Sequence, residues 1–246
     1  MFKLFNSLKI DKMKIDIWSD IRCPFCYIGK RKLEAGLAQF EHKDKVELVW
    51  HSFELDPSMQ TQPHKNVYDH LAEIKGQTRQ WSEQMHNQVT QTAKQVGLRF
   101  NFDKSVIANS FDAHRLIQLA KTKGLGDAAE EKLFKAYFTD GKNIADHDTL
   151  VQLGLEIGLD KTGIEQMLAS ESFAAEVKND EATAQSIGIR GVPFFVFNEQ
   201  YSISGAQPAE AFLQTLQTSW QEFEKKNTVD TVISSEDNTC SVDGIC

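Results

Sequence analysis

A chain of 246 residues has room for one large domain, or for a small one carrying an insertion, and its 41% hydrophobic and 25% charged residues are ordinary for a globular fold. A formal charge of −8 with no basic stripe argues against nucleic acid as a partner, and no apolar run reaches the ~18 residues a membrane helix needs. Four cysteines are too few for a disulfide framework at this length, so their spacing says more than their number.

In chain order, the first dozen residues carry Lys3 and Lys9, but Asn6, Ser7 and Lys9 break the apolar stretch. No small-residue cleavage site follows, so the segment reads as an extension or a misassigned start before Met13 and not as a secretory leader; a cytoplasmic location is expected. Lys14 to Ser19 alternates as a strand does, with Ile15 and Ile17 on one face. Cys23-Pro24-Phe25-Cys26 follows directly. Tyr27 to Phe40 then places Ile28, Leu33, Leu37 and Phe40 at helical spacing, and Lys30-Arg31-Lys32 reads as a solvated face of that helix. Val46 to Phe53 is a second strand, and the crossover between the two is long enough for parallel pairing.

From about His64 to Ser186 the β signals vanish. The pattern predicts helices over Val67–Lys75, Thr78–Val96, Ser110–Lys123, Ala128–Thr139, Asp148–Ile157, Lys161–Ser170 and Ser172–Ile187, punctuated by glycines. Asp146 and Asp148 read as N-caps, not as metal ligands with His147. Strand character returns in Phe194–Phe197 and Tyr201–Ser204, joined by a turn at Asn198-Glu199-Gln200. Pro208 opens a last helix to about Phe223, and the polar segment from Lys225, with Cys240 and Cys246, reads as a mobile tail. The sum is an α/β fold, β-α-β then helices then β-β-α. Its expected units are 13–63 with 187–224 around one mixed sheet, an inserted helical domain at 64–186, and a tail at 225–246.

The chemistry points to the cysteines. A thiolate, not a thiol, attacks a disulfide, so a reactive cysteine needs help to ionise. Cys23 stands where a helix begins, beside unpaired N–H groups and the positive end of the dipole, and Pro24 suits the first helical position. Cys26 is one turn on and can reach Cys23. Cys23 is therefore the expected nucleophile and Cys26 the more buried resolving thiol. A zinc site would need two more ligands, and Cys240 and Cys246, more than two hundred residues on, are the candidates. The strand before and helix after the motif favour redox chemistry over that reading. Pro-Phe between the cysteines brings no histidine, so a less oxidising couple is expected, with Arg22 able to offset part of this. Gly191-Val192-Pro193 precedes the third strand, where a proline is often only a turn residue.

Ser19-Asp20-Ile21-Arg22-Cys23-Pro24-Phe25-Cys26-Tyr27-Ile28-Gly29-Lys30 resembles the active-site segment of the DsbA-like family, in particular its FrnE branch. Asn109–Arg115 is similar to that branch's helical insertion, and Gly188–Phe195 with Ile203–Gln207 to its cis-proline loop and final hairpin. The resemblance implies a thioredoxin-like fold with a large all-helical insertion, and oxidoreductase or isomerase activity on protein disulfides. It assigns Cys23 and Cys26 as the redox pair. Pro24, Phe25, Val192 and Pro193 would meet the substrate, with Pro193 cis and its neighbour's backbone open to an extended chain. Cys240 and Cys246, five residues apart, match a second pair that some FrnE-like proteins carry, as an auxiliary shuttle. No resident cofactor is implied. The expected partners are thiol- or disulfide-containing proteins, or glutathione.

Two other readings stay open. Kappa-class glutathione transferases and 2-hydroxychromene-2-carboxylate isomerases share the architecture but carry a serine-type glutathione site where this chain has Cys23. A zinc-stabilised binding module is the third. Asp16 or Asp20 could lie under the dithiol and take the Cys26 proton, while Trp18, Trp50, Phe53 and Phe111 read as core.

Overall fold

The computed structural model describes residues 12–236. Strand β1 (Met13–Ser19), helix α1 (Pro24–Ala38) and strand β2 (Val46–Ser52) form the opening unit. Between β2 and the third strand run α2 (Val67–Lys75), α3 (Arg79–Gln95), α4 (Phe111–Lys121), α5 (Gly126–Phe138), α6 (His147–Glu156), α7 (Lys161–Leu168) and α8 (Ala174–Ser186). The hairpin β3 (Phe194–Phe197) and β4 (Tyr201–Ser204) and helix α9 (Ala209–Glu236) complete the chain as described. The expected order of elements is present. Among the described residues, no helix is long and apolar enough to cross a membrane.

The sheet order is β2-β1-β3-β4, with β2 parallel to β1 and the other two pairings antiparallel. Alternation decides what each face touches. Ile15, Ile17, Phe195 and Phe197 are fully buried on the face that receives α1 and α9. Trp18, Phe194 and Val196 turn the other way and pack with Ala184 and Ile189, at and beyond the end of α8. Each such side chain contributes about 1.5–3 kcal/mol of burial. Glycine sets how closely α1 approaches its neighbours: a Cβ on Gly36 would lie 2.9 Å from Phe212 Cβ and 3.1 Å from the Ala209 carbonyl oxygen.

The helical segment is stitched to α1 by aromatic and ionic contacts. Tyr27 stacks on Phe134 of α5 with ring centroids 4.8 Å apart, and Phe100 and Phe138 extend the stack. The Tyr27 hydroxyl donates to Glu131 at 2.7 Å. Lys30 corrects an expectation: it is 2% exposed, not solvated. Its ammonium meets Glu34 at 2.5 Å, Asp127 at 3.2 Å and Glu131 at 3.4 Å, because α5 brings two carboxylates over this face of α1. Burial opposes the Lys30 charge, but those carboxylates outweigh it and raise its pKa.

Side-chain caps begin α2, α3, α6 and α7. Asn66 accepts from Tyr68 and Asp69 N–H, Thr78 from Trp81, Asp146 from Thr149 and Asp160 from Gly163. Asp148 falls in the first turn of α6, where its charge suits the dipole. One boundary differs substantially. Helix α9 continues to Glu236, so the segment expected to be a mobile tail from Lys225 begins as helix. No glycine or proline interrupts 209–236, so local chemistry supplies no stop at Phe223.

Candidate functional site

Strand β1 delivers the chain to the site. After Ser19 a tight turn closes with the Cys23 N–H on the Asp20 carbonyl at 2.9 Å. Cys23 is the N-cap of α1, extended at φ −87 and ψ 111, with proline in the first turn and no side-chain cap. Its sulfur therefore sits at a helix tip whose first amides lack intrahelical acceptors. Cys26 is one turn in, its N–H on the Cys23 carbonyl at 3.0 Å. Both cysteines are free, at 5% and 1% exposure. Burial, then the neighbouring Cys23 thiol, push the Cys26 pKa well above its ordinary value. Phe25 stands 45% exposed at the surface, and Pro24 is half-buried.

Val192-Pro193 reaches the dithiol from the far end of the chain. The peptide bond is cis, and the Cys23 thiol donates to the Val192 carbonyl at 3.6 Å. Gly29 admits the proline ring, since a Cβ there would lie 3.0 Å from Pro193 Cγ. The Pro193 carbonyl accepts from Gly205 at 2.8 Å, which ties the loop to β4. The structure thus brings Cys23, Pro24, Cys26, Val192 and Pro193 together, with Phe25 on the outer surface. Cys240 and Cys246 lie outside the described residues.

Behind Cys26 is a polar cluster that the sequence reading did not assemble. Ser19, Asp20, His114 and Glu130 are each at most 1% exposed, and Glu54 is 8% exposed. Asp20 accepts the N–H of Arg22 at 3.0 Å and of Leu55 at 2.9 Å, and lies 3.7 Å from His114 Nε2. Burial works against an ionised Asp20, but His114 and Arg22 prevail and hold its pKa below the usual value. Burial likewise disfavours a charged His114, yet Asp20, Glu130 and Glu54 raise it. Glu130 goes the other way: burial pushes it to about 7, against the Ser19 hydroxyl and the charges of His114 and Lys30. Glu54 is raised to about 7 as well, chiefly by burial. Among the described residues the Ser19 hydroxyl, one oxygen each of Glu54 and Glu130, and both His114 ring nitrogens have no hydrogen-bond partner.

Of the two acids considered from sequence, Asp20 lies in this cluster. Asp16 takes part in another one. His51 of β2 reaches Asp16 through Nε2 and Asp180 of α8 through Nδ1, each at 2.8 Å. Asp180 also accepts the Ser52 N–H at 2.9 Å and the Gln118 amide at 2.6 Å. A usable sign of the missed residues was present: Glu130 shares a helix face with Leu133 and Phe134, and His114 follows Ala113 and precedes Leu116 and Ile117, all buried. A charge at a core position of an amphipathic helix marks either a partner or a function.

Residues 14–217 match the DSBA-like thioredoxin domain family. A crystal structure described as a probable DsbA oxidoreductase, SCO1869 of Streptomyces coelicolor, superimposes with a TM-score of 0.80 at 38% identity, over 85% of this chain and 91% of that one. YwbO, an uncharacterised protein of Bacillus subtilis, is 28% identical over 80% of this chain and 92% of its own length. The cytosolic disulfide reductase DsbM of Pseudomonas aeruginosa, solved also with GSH, shares the fold at a TM-score of 0.57 and 18% identity, over 88% of this chain and 99% of DsbM.

Proposed function

This chain belongs to the DSBA-like thioredoxin domain family, and from that premise we propose that it exchanges disulfides with polypeptide substrates through Cys23 and Cys26. The observation that carries the proposal is a pair of free sulfurs at the tip of α1, the first of them 3.6 Å from the Val192 carbonyl. In the reducing direction, the Cys23 thiolate attacks one sulfur of a substrate disulfide. A Cys23–substrate disulfide forms, and the other substrate sulfur leaves as a thiolate. Cys26 then gives up its proton and attacks Cys23 Sγ, which closes Cys23–Cys26 and releases the second substrate thiol. Two electrons pass to the substrate, and the reverse sequence oxidises a dithiol.

The division of labour follows from burial. Cys26, with its pKa pushed well up, stays protonated and inert until Cys23 has lost its thiol to the mixed disulfide. The cis-proline loop offers backbone beside the reacting sulfur, where an extended chain can pair. Glutathione or a protein dithiol restores the starting state, so no resident cofactor is required. A cytoplasmic location belongs to the same proposal, since a glutathione pool there would keep the pair reduced. Insulin reduction and scrambled-ribonuclease refolding test it on the wild type and Cys23→Ser. Loss of both activities in the variant is expected; activity equal to wild type overturns the assignment.

A further inference from the structure

On the Trp18 face of the sheet a histidine is held from both sides. His51 of β2 meets Asp16 of β1 through Nε2 and Asp180 of α8 through Nδ1, each at 2.8 Å. A neutral imidazole has one N–H and one lone pair, so it would turn that lone pair on one of the two carboxylates; only the doubly protonated ring donates to both. Asp180 is fixed in turn by the Ser52 N–H at 2.9 Å and the Gln118 amide of α4 at 2.6 Å. The charged groups facing the ring are Asp16, Asp180 and Lys121 of α4, whose ammonium is 3.9 Å from Asp180.

Trp18 connects this clamp to the redox site. It is the register partner of His51 on one side of β1 and of Phe194 on the other, where β3 begins directly after Pro193. Its indole stacks on the His51 ring with centroids 4.5 Å apart, and its N–H donates to the Asp180 carbonyl at 3.1 Å. The cluster that Trp18 forms with Ala184 and Ile189 receives Val192 and Phe194, the residues on either side of Pro193. The Ile189 N–H rests on the Ala184 carbonyl at 2.8 Å, so the loop starts from the end of α8. From there it runs to Val192, whose carbonyl accepts the Cys23 thiol at 3.6 Å.

Resting on the thiol-exchange reading above, we propose that Asp16, His51 and Asp180 are positioning residues: together they hold α8, and through Trp18 the cis-proline loop, where a substrate chain pairs beside Cys23. They act on substrate only through that loop. A loop already fixed in its binding conformation spares the substrate the ordering cost of capture. When the ring loses a proton, its lone pair faces a carboxylate, one of the two contacts gives way, and the hold on α8 weakens. Burial opposes the His51 charge, yet Asp16 and Asp180 outweigh it and Lys121 and raise the pKa from the ordinary 6.5. The clamp is therefore closed below about pH 6.5 and lets go as pH rises through the higher folded value.

Two rates at Cys23, followed from about pH 5.5 to 9, test this. One is capture of an extended cysteine peptide joined to glutathione as a mixed disulfide. The other is alkylation by iodoacetamide, which needs the thiolate but no loop backbone, so the ratio of the two removes the ionisation of Cys23 itself. For the wild type the ratio is expected to fall about 5-fold or more as pH rises through the His51 titration. In His51→Gln, whose amide takes no proton, the ratio should be low and flat, with alkylation within about 2-fold of wild type reporting an intact site. Asp16→Asn removes one of the charges that favour the imidazolium and should move the fall to lower pH. Glu54 and Glu130, both raised to about 7, are unchanged in these variants, so a fall that persists in His51→Gln overturns the clamp. A flat wild-type ratio overturns it too, as does a fall that Asp16→Asn leaves in place, and all three outcomes spare the exchange reading. A Cys23 that is alkylated yet captures no disulfide removes the exchange reading and the clamp with it.

Discussion

Replacing Glu130 with glutamine takes a proton-binding site out of the interior while keeping the shape of the neutral carboxyl. Glu130 is 1% exposed, and burial pushes its pKa from the ordinary 4.5 to about 7. A carboxyl raised in this way is a liability at neutral pH. The folded protein holds a proton that the unfolded chain has already released, so stability falls as pH climbs from about 4.5 to about 7. That interval corresponds to on the order of 3 kcal/mol of unfolding free energy. Glutamine is neutral throughout and escapes the loss. The unfolding free energy of Glu130→Gln should therefore match wild type near pH 4, exceed it increasingly through pH 5 and 6, and level off above pH 7 with a gain of up to about 3 kcal/mol. His114 loses an ionised neighbour in the variant, which trims that plateau. Urea unfolding at several pH values reads the difference directly from the midpoints at constant slope. A variant less stable than wild type at pH 8 would refute the reasoning, because it would mean that Glu130 is ionised and held by His114 or Lys30.

Cys26→Ser should accumulate a covalent substrate adduct on Cys23, visible as a mass increase that dithiothreitol removes; a variant that turns over without an adduct would contradict the resolving role. Gly36→Val should cost about 1–3 kcal/mol, because its side chain would be forced into Phe212 and the Ala209 carbonyl, and a wild-type melting temperature would show that α1 and α9 can part freely. His51, though burial opposes its charge, has its pKa raised by Asp16 and Asp180, so its contribution is full below about pH 6.5 and is lost as pH rises through the higher folded value. His51→Gln should thus be destabilised most at pH 6 and approach wild type in the alkaline range, as thermal melts across pH would report.

Much of this arrangement was legible in the sequence, for local reasons. Alternation in Lys14–Ser19 fixed a strand, and Asp146 announced a helix start that its side chain caps. The hairpin turn fell at Asn198-Glu199, where both residues take positive φ, 49° and 58°. Resemblance, not periodicity, placed Val192-Pro193 opposite the dithiol, because no local pattern spans the 169 residues from Cys23 to Val192. The misread residues share one cause. Lys30 looks solvated until α5 supplies Asp127 and Glu131, and His114 and Glu130 look like stray polar residues until the end of β1 and the turn after it supply Ser19 and Asp20. Charge partners from distant segments are decided by tertiary packing, which short spacing does not encode.

That same packing bears on what the helical segment does. Helix α5 alone contributes Glu130 behind Cys26, Glu131 and Asp127 against Lys30, and Phe134 against Tyr27. A lid hinged over a finished thioredoxin-like site would touch it at the rim and leave its interior charges alone. Here the acid–base surroundings of Cys26 are drawn from both segments, and Lys30, two turns from the helix tip, meets Asp127 and Glu131 of α5 beside Glu34 of its own helix. Opening the two apart would expose a buried cation, an ion pair at Asp20 and His114, and a protonated carboxyl together, each with its own desolvation history. The helical segment is thus part of the proposed redox centre, and a substitution on α5 facing α1 should alter reactivity at Cys26 without touching either cysteine.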